Sequence, residues 1–590
     1  MSDNIRIFLS FVVVIAFFVA FFNRTLPRPV DVLFVNGVIY TMDAENTIAD
    51  AMAVRGGRIA AAGSRRQLEE HFRPRTIVDL QGKTVFPGFI DAHAHLMSLG
   101  IARITVDLVG STSEAEAVER VRSRVSQIQP ETWVRGRGWD QNDWPGRRFP
   151  HRSALDRVSP GNPVYLTRID GHAAWVNTLA LDAAGITAET PDPPGGKIIR
   201  DASGEPTGIL IDNAMSLARD VLPPPTSAEQ VQALSLAIEE CLSYGITGIH
   251  DMGVDISEID LYKEFIDRNM LGIRVYAAVG GTGETWDSFL ESGPLMNYGN
   301  HHLTVRALKL YVDGALGSFG AALIEPYSDD PENRGLTIVA QEDLQNAVDE
   351  ALQHGFQVCT HAIGDRGNNI ALNVYEQGLS KFPRPDHRLR VEHAQVLASN
   401  DIPRFRHLDV VPSMQPTHCT SDMYWSESRL GPDRVRGAYA WRSLRETGVV
   451  IPGGSDFPVE HPNPLPGIYA AVTRQDVAGY PRDAGDVRQF FQVSKAGIKN
   501  ESDFEGGWYA GQSLTRLEAI QSFTTWAAWS AFEEDLKGSL ETGKLADFVV
   551  LSADIMTIPP QEILRTEVER TFVGGEELFS GRTDPLSLVE

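Results

Sequence analysis

The sequence predicts an α/β protein: a (β/α)8 TIM-like barrel with a small β-sandwich domain built from both chain ends, preceded by an N-terminal hydrophobic segment. Three observations carry this prediction. Short apolar runs alternate with helical patterns through the middle of the chain, hairpin patterns sit at both ends, and an uncharged run occupies residues 7–22. At 590 residues the chain exceeds the length at which one core stops growing, so a large domain with a smaller companion is expected.

Residues 7–22 are rich in Phe and Val and flanked by Arg6 and Arg24. The run is short for a full span and close to a signal-peptide apolar region. Phe21, Phe22 and Asn23 stand where small residues would mark cleavage, so residues 1–27 read as an uncleaved membrane anchor, with a cleaved secretion signal as the alternative. Either puts the protein on or across a membrane. Positive charges on both sides (Arg6; Arg24 and Arg28) leave the side open.

Residues 31–40 read as strand, turn at Asn36-Gly37, and strand; residues 51–63 repeat the pattern around Gly56-Gly57. Residues 547–551 and 568–579, the latter around Gly574-Gly575, look alike, so 28–84 and 536–590 are expected to meet in one domain. Within 85–535, candidate strands precede His93 and occupy 164–167, 248–250, 274–279, 305–312, 357–360, 390–392, 410–414 and 449–452. Helical stretches such as 227–244 and 341–354 lie between them. This alternation predicts the barrel; a doubly wound sheet is the alternative, but no G-x-G-x-x-G fingerprint supports it. Thr515 and Glu518 form a capping-box pattern opening a late helix. Residues 110–226, irregular and Trp- and Pro-containing, read as including an insertion over one barrel face, and 476–512 as a second, loop-rich insertion.

A net charge of −25 without any basic run argues against a nucleic-acid partner. Cys241, Cys359 and Cys419 are too few and scattered for a disulfide framework. A homo-oligomer is compatible with the sequence.

The chemistry starts at His93 and His95. Residues two apart on a strand share a face, so a strand ending here would project both imidazoles into one pocket. Lys309 interrupts an apolar strand, and an unpaired buried ammonium is costly, so it must be neutralised, paired or modified. His361, His393 and Asp456 each end a further apolar run, and active-site groups of such barrels sit at C-terminal strand ends. Singly each has a bland reading as a satisfied core residue. Six in barrel order are a different kind of signal.

That order resembles the amidohydrolase superfamily of metal-dependent hydrolases, with HxH after strand one, Lys after strand four, His after strands five and six, and Asp after strand eight. Residues 85–95 look like its opening motif and residues 537–548 like its closing motif. Asp170-Gly171-His172, residues 309–314, residues 361–365 and residues 455–459 are similar to the YtcJ-like branch, amidohydrolase family 3, which includes N-substituted formamide deformylases. The resemblance implies that His93, His95 and Asp456 bind one metal and His361 and His393 a second, with Lys309 bridging them as a carbamate. It covers nearly all of the chain beyond the first residues.

Imidazole and carboxylate-type oxygen suit Zn²⁺, with Mn²⁺, Fe²⁺ and Ni²⁺ also compatible, and an unmodified Lys309 would favour one ion over two. Such a metal makes hydroxide available near neutral pH. Asp456 would orient the water, take its proton and deliver it to a leaving amine; its plainer alternative is a ligand without acid–base work. The implied activity is hydrolysis of a C–N bond in a small-molecule amide. Hydrolysis of cyclic amides or esters is the second reading, and a metal-free binding or assembly module the third. His172 and Trp139 are candidates for carbonyl polarisation or substrate contact, with Gln141 beside them and Tyr424 and Trp425 as an apolar wall. His250, Asp251, Asp313 and Asp365 read as supporting residues.

Overall fold

The computed structural model describes residues 27–493 and 497–581. The proposed anchor or secretion segment lies outside them; among the described residues no helix is long and apolar enough to cross a membrane.

The chain ends share one eight-stranded sheet. Strands Glu576–Ser580, Val568–Val573, Phe548–Leu551, Thr84–Pro87, Arg28–Tyr40, Ile48–Arg55 and Arg58–Gly63 lie side by side in that order, and Phe72–Asp79 pairs with Arg28–Tyr40 off this path. One expectation changes here. Asn36-Gly37 is not a hairpin turn but an irregularity within one 13-residue strand, between Val35 and Ile39. Before it, the strand pairs in parallel with Phe72–Asp79; after it, with Thr84–Pro87. The extra length there lets one strand serve two partners, so the strands from both chain ends join in one continuous hydrogen-bonded sheet. One apolar cluster of this region centres on Phe34, Phe548 and Phe572, with ring centroids 4.3 to 5.4 Å apart.

Residues 85–95 do not form one strand. Thr84–Pro87 belongs to the end sheet and Phe89–Ala94 opens the barrel. Gly88 makes the hand-over: a Cβ there would collide with the Thr247 side chain.

The barrel strands are β1 (Phe89–Ala94), β2 (Ile246–Val254), β3 (Arg274–Gly280), β4 (Leu303–Tyr311), β5 (Gln357–Ala362), β6 (Arg390–His393) and β7 (Val411–Ser413), each parallel to the next. The eighth position, expected as a strand at 449–452, is a short bridging segment. Gly454 N–H donates to Met414 O at 3.1 Å, and Ala92 N–H donates to Gly453 O at 3.0 Å, nearly closing the ring. Glycine is required at 454 because a Cβ would come within 2.6 Å of His93 N. The helices outside follow their sequence signals: Ser227–Ser243 and Arg516–Ser522 both open on reciprocal capping boxes, Thr226 with Glu229 and Thr515 with Glu518.

Residues 164–167 are not a barrel strand. They lie in a separate six-stranded sheet made of Val106–Asp107, Val134–Trp139, Val164–Arg168, Ala173–Val176, Gly196–Arg200 and Pro206–Asp212. The segment that reads as irregular therefore holds a sheet with its own core, including Trp139, Trp144, Trp175, Leu166 and Ile209. Its strands are of seven residues or fewer, too short for a clear alternation to show. Ala484–Phe490 is helical within the second insertion.

Candidate metal centre

β1 delivers His93 fully buried, with His95 just beyond the strand; their rings meet edge-on at 5.6 Å. Asp91, two residues earlier on the same strand, accepts hydrogen bonds from His93 N (3.0 Å), Ser455 N (3.0 Å) and Ser455 Oγ (2.6 Å). This ties the first strand to the loop carrying Asp456. Asp456 Oδ1 lies 3.1 Å from His95 Nε2 and 3.5 Å from His93 Nε2. Lys309, buried on β4, has its Nζ 3.3 Å from His93 Nε2. His361 and His393 end β5 and β6 with ring centroids 4.5 Å apart, and His393 is 4.8 Å from His93. His93, His393 and Asp456 each bring a ligand-type atom within 4.8 Å of the others. All six expected residues therefore converge on one buried place. His393 and Asp456 also carry positive φ, 73° and 58°, so the ring of strand ends holds two side-chain-bearing residues in the left-handed region.

The surroundings orient these ligands for a cation. His93 Nδ1 donates to Glu392 Oε2 at 2.6 Å and His393 Nδ1 to Gln415 Oε1 at 2.7 Å, leaving each Nε2 as a lone-pair donor. Burial pushes the imidazoles of His93, His361 and His393 well below their usual range, reinforced by Lys309 beside His93, so they stand neutral. Burial likewise lowers the Lys309 ammonium, which favours the free amine. Burial opposes ionisation of Asp456, but the contact with His95 outweighs it and holds the carboxyl well below the usual carboxylate range. His361 Nε2 and Asp456 Oδ1 are buried without a hydrogen-bond partner. Neutral imidazoles, an anionic oxygen and unpartnered buried ligand atoms fit a divalent cation.

Glu392 is itself held by Arg390, whose Nε reaches Oε1 at 2.7 Å and Nη2 reaches Oε2 at 2.9 Å. Neither supporting residue was singled out from sequence, although two charged residues alternating along a four-residue buried strand are a readable signal. His250 acts as expected for a support, its Nδ1 2.8 Å from Arg390 Nη1. Asp251 accepts from Leu96 N and Tyr262 Oη, Asp313 from the backbone of Ile363, Gly364 and Ala322, and Asp365 from Ile324 N.

His172 reaches the centre from the inserted sheet: its ring lies 4.9 Å from that of His361, and its Nδ1 is 2.7 Å from Asp212 Oδ1. Burial opposes protonation of His172, but the Asp212 carboxylate wins and raises it above the usual imidazole range. Trp139 is a correction. Its side chain is fully buried, packs against Trp144 and Trp175 and donates its indole N–H to Leu166 O at 2.9 Å, so it fills the inserted sheet's core. Gln141 is buried too and is occupied by accepting from Arg168 Nε at 2.7 Å. Tyr424 and Trp425 line a cavity of about 750 Å³ together with Trp144, Asn142 and Phe490.

The Pro416–Arg434 helix that follows β7 also supplies His418, which sequence reasoning missed because it lies on a helix beyond its strand end. His418 Nε2 is 3.8 Å from Asp456 Oδ2, and its ring stacks on His393 at 5.9 Å. Further along the same helix Glu427 is 2% exposed with neither carboxylate oxygen hydrogen-bonded; burial pushes its carboxyl up to about 7. A raised carboxyl favours the folded state only while protonated, so Glu427 costs stability as pH rises from the unfolded value through about 7. Glu427→Gln should unfold at higher urea than the parent at pH 8, with the gain gone by about pH 5. Equal midpoints at pH 8 would refute this.

The family model described as the amidohydrolase family matches residues 76–579. The chain belongs to the amidohydrolase family. Among relatives of this amidohydrolase, a putative amidohydrolase, YtcJ, of Bacillus subtilis is 34% identical, covering 92% of this chain and 98% of the relative. The N-substituted formamide deformylase of Arthrobacter pascens is 27% identical, covering 92% and 97%. Of solved structures, an uncharacterized metal-dependent hydrolase from Pyrococcus horikoshii aligns with a TM-score of 0.69 at 28% identity, covering 90% of this amidohydrolase and 99% of that chain.

Proposed function

We propose that this amidohydrolase hydrolyses the C–N bond of a linear or N-substituted amide with the help of divalent metal. The observation that carries the reading is the buried meeting of His93, His393 and Asp456, with His95, Lys309 and His361 around them. His93, His95 and Asp456 would hold one ion, His361 and His393 a second. Lys309, its free amine adding CO2 and releasing a proton, would help to hold them as a carbamate. A bound cation of this kind supplies positive charge at the carbonyl oxygen and lowers the pKa of a water from 15.7 towards about 7.

The chain's own groups do the rest. Asp456 takes the proton of the attacking water and returns it to the leaving nitrogen as the C–N bond breaks. His172, its Nδ1 bound to Asp212, presents Nε2 towards the substrate carbonyl. The deformylase named among the relatives supports an amide over an ester as substrate. The test is a panel of N-formyl amines, N-acyl amines, cyclic amides and esters offered to the full chain loaded with Zn²⁺. Linear amides should turn over, activity should vanish on chelation and return with metal. Turnover restricted to cyclic amides or esters, or undiminished by chelation, would overturn the proposal.

A further inference from the structure

We propose that His418 grips the leaving nitrogen of the substrate, across the scissile bond's nitrogen side from Asp456; this rests on the amide-hydrolase reading above. The two oxygens of Asp456 face different neighbours. Oδ1 faces His95 and His93 at 3.1 and 3.5 Å, which makes it the metal-side oxygen. Oδ2 faces His418 Nε2 at 3.8 Å. That separation is too long for a direct hydrogen bond, but one nitrogen about 2.9 Å from each would fit between them. His418 is 9% exposed, and its Nε2 is buried without a hydrogen-bond partner. It stands next to Asp456 and His393 but is not among the six residues read as metal ligands.

The nitrogen assignment follows from what lies on either side. His172, next to His361, occupies the side proposed for the carbonyl. Asp456 must return its proton to the leaving nitrogen, so the residue facing the oxygen turned away from the metal side faces that nitrogen too. On the Pro416–Arg434 helix, His418, Asp422 and Trp425 stand at i, i+4 and i+7 and share one face. Trp425 lines the 750 Å³ cavity with Tyr424, Trp144 and Phe490, about 10 Å along the helix from His418.

His418 exchanges no proton in this scheme. Its Nε2 accepts the N–H of a secondary amide, which turns the nitrogen lone pair that develops on C–N cleavage towards the protonated Asp456. The water oxygen becomes bonded to the carbonyl carbon, the C–N bond breaks, and the proton Asp456 took from water ends on nitrogen.

The test compares the metal-loaded full chain with His418→Ala and His418→Gln on a secondary amide and its N-methylated tertiary counterpart, with metal content and product inhibition measured in parallel. His418→Ala should keep its metal and lose about ten- to a hundredfold in kcat/KM on the secondary amide. The tertiary amide, having no N–H to offer, should lose far less. Inhibition by the product amine should weaken about tenfold while inhibition by the product carboxylate holds. Should His418→Ala misfold, the isosteric His418→Gln carries the same comparison. Loss of metal, equal losses on both amides, or unchanged amine inhibition would each overturn the assignment. A wild-type chain that turns over no amide defeats the functional reading itself; an active wild type with unaffected His418 variants defeats only this inference.

Discussion

Asp456→Asn should lower kcat and kcat/KM together by about 10²- to 10⁴-fold, the range expected when a positioned acid–base group is lost. The substitution isolates the proton from the shape. Asp456 sits at φ 58°, a conformation Asn adopts readily, and its backbone N–H donates to His93 O at 2.8 Å, a bond the amide variant retains. Asn keeps an oxygen for the position 3.1 Å from His95 Nε2 but cannot take a proton from water. Steady-state kinetics with metal content measured on the same sample checks the result. Full turnover in a variant that retains its metal would place the base elsewhere and reduce Asp456 to a ligand.

Arg390→Met should destabilise the fold by about 3–5 kcal/mol, the cost of stranding a buried charge. Arg390 is 0% exposed and reaches Glu392 through two hydrogen bonds, Ser413 Oγ at 2.9 Å, Ala92 O at 2.5 Å and His250 Nδ1 at 2.8 Å. It thus links β1, β2, β6 and β7 from inside the barrel. Without it, Glu392 is left buried with His93 Nδ1 as its remaining partner in that set. The double variant Arg390→Met with Glu392→Leu should recover part of the loss, because the stranded carboxylate goes too. Glu392 also orients His93, so Arg390→Met should bind metal about 10- to 100-fold more weakly. Urea unfolding followed by two probes, to check that one transition is being read, and a metal titration measure these effects. Unchanged stability in the single variant would show that the network is not what joins the strands.

The centre was readable because its residues break a strong rule. Lys309 interrupts an apolar strand and His361, His393 and Asp456 stand at the ends of apolar runs, where a polar residue is conspicuous against its neighbours. Tyr424 and Trp425, on the Pro416–Arg434 helix, line a cavity, whereas Trp139, an aromatic residue singled out in the same way, is core. An aromatic side chain suits both environments, and only its neighbours tell them apart. Likewise residues 164–167 have the pattern of a barrel strand but pair with Val134–Trp139 and Ala173–Val176 in another sheet, since strand patterning does not encode the partner.

By itself the sequence determined that parallel β/α units alternate through the middle of the chain and that six ligand-type residues stand in or at the ends of apolar runs, because burial period and strand-end polarity are local properties of a chain. The tertiary structure alone decided that Asn36-Gly37 is a break within one strand, that the inserted segment is a sheet supplying His172 to the centre, and that His418, Glu392 and Arg390 stand around the six. These depend on contacts between residues far apart in sequence, such as His93 with Glu392 or Asp456 with His418. A pair of that kind leaves no periodicity in either segment; it exists only once the barrel closes and brings the strand ends within a few ångströms of each other.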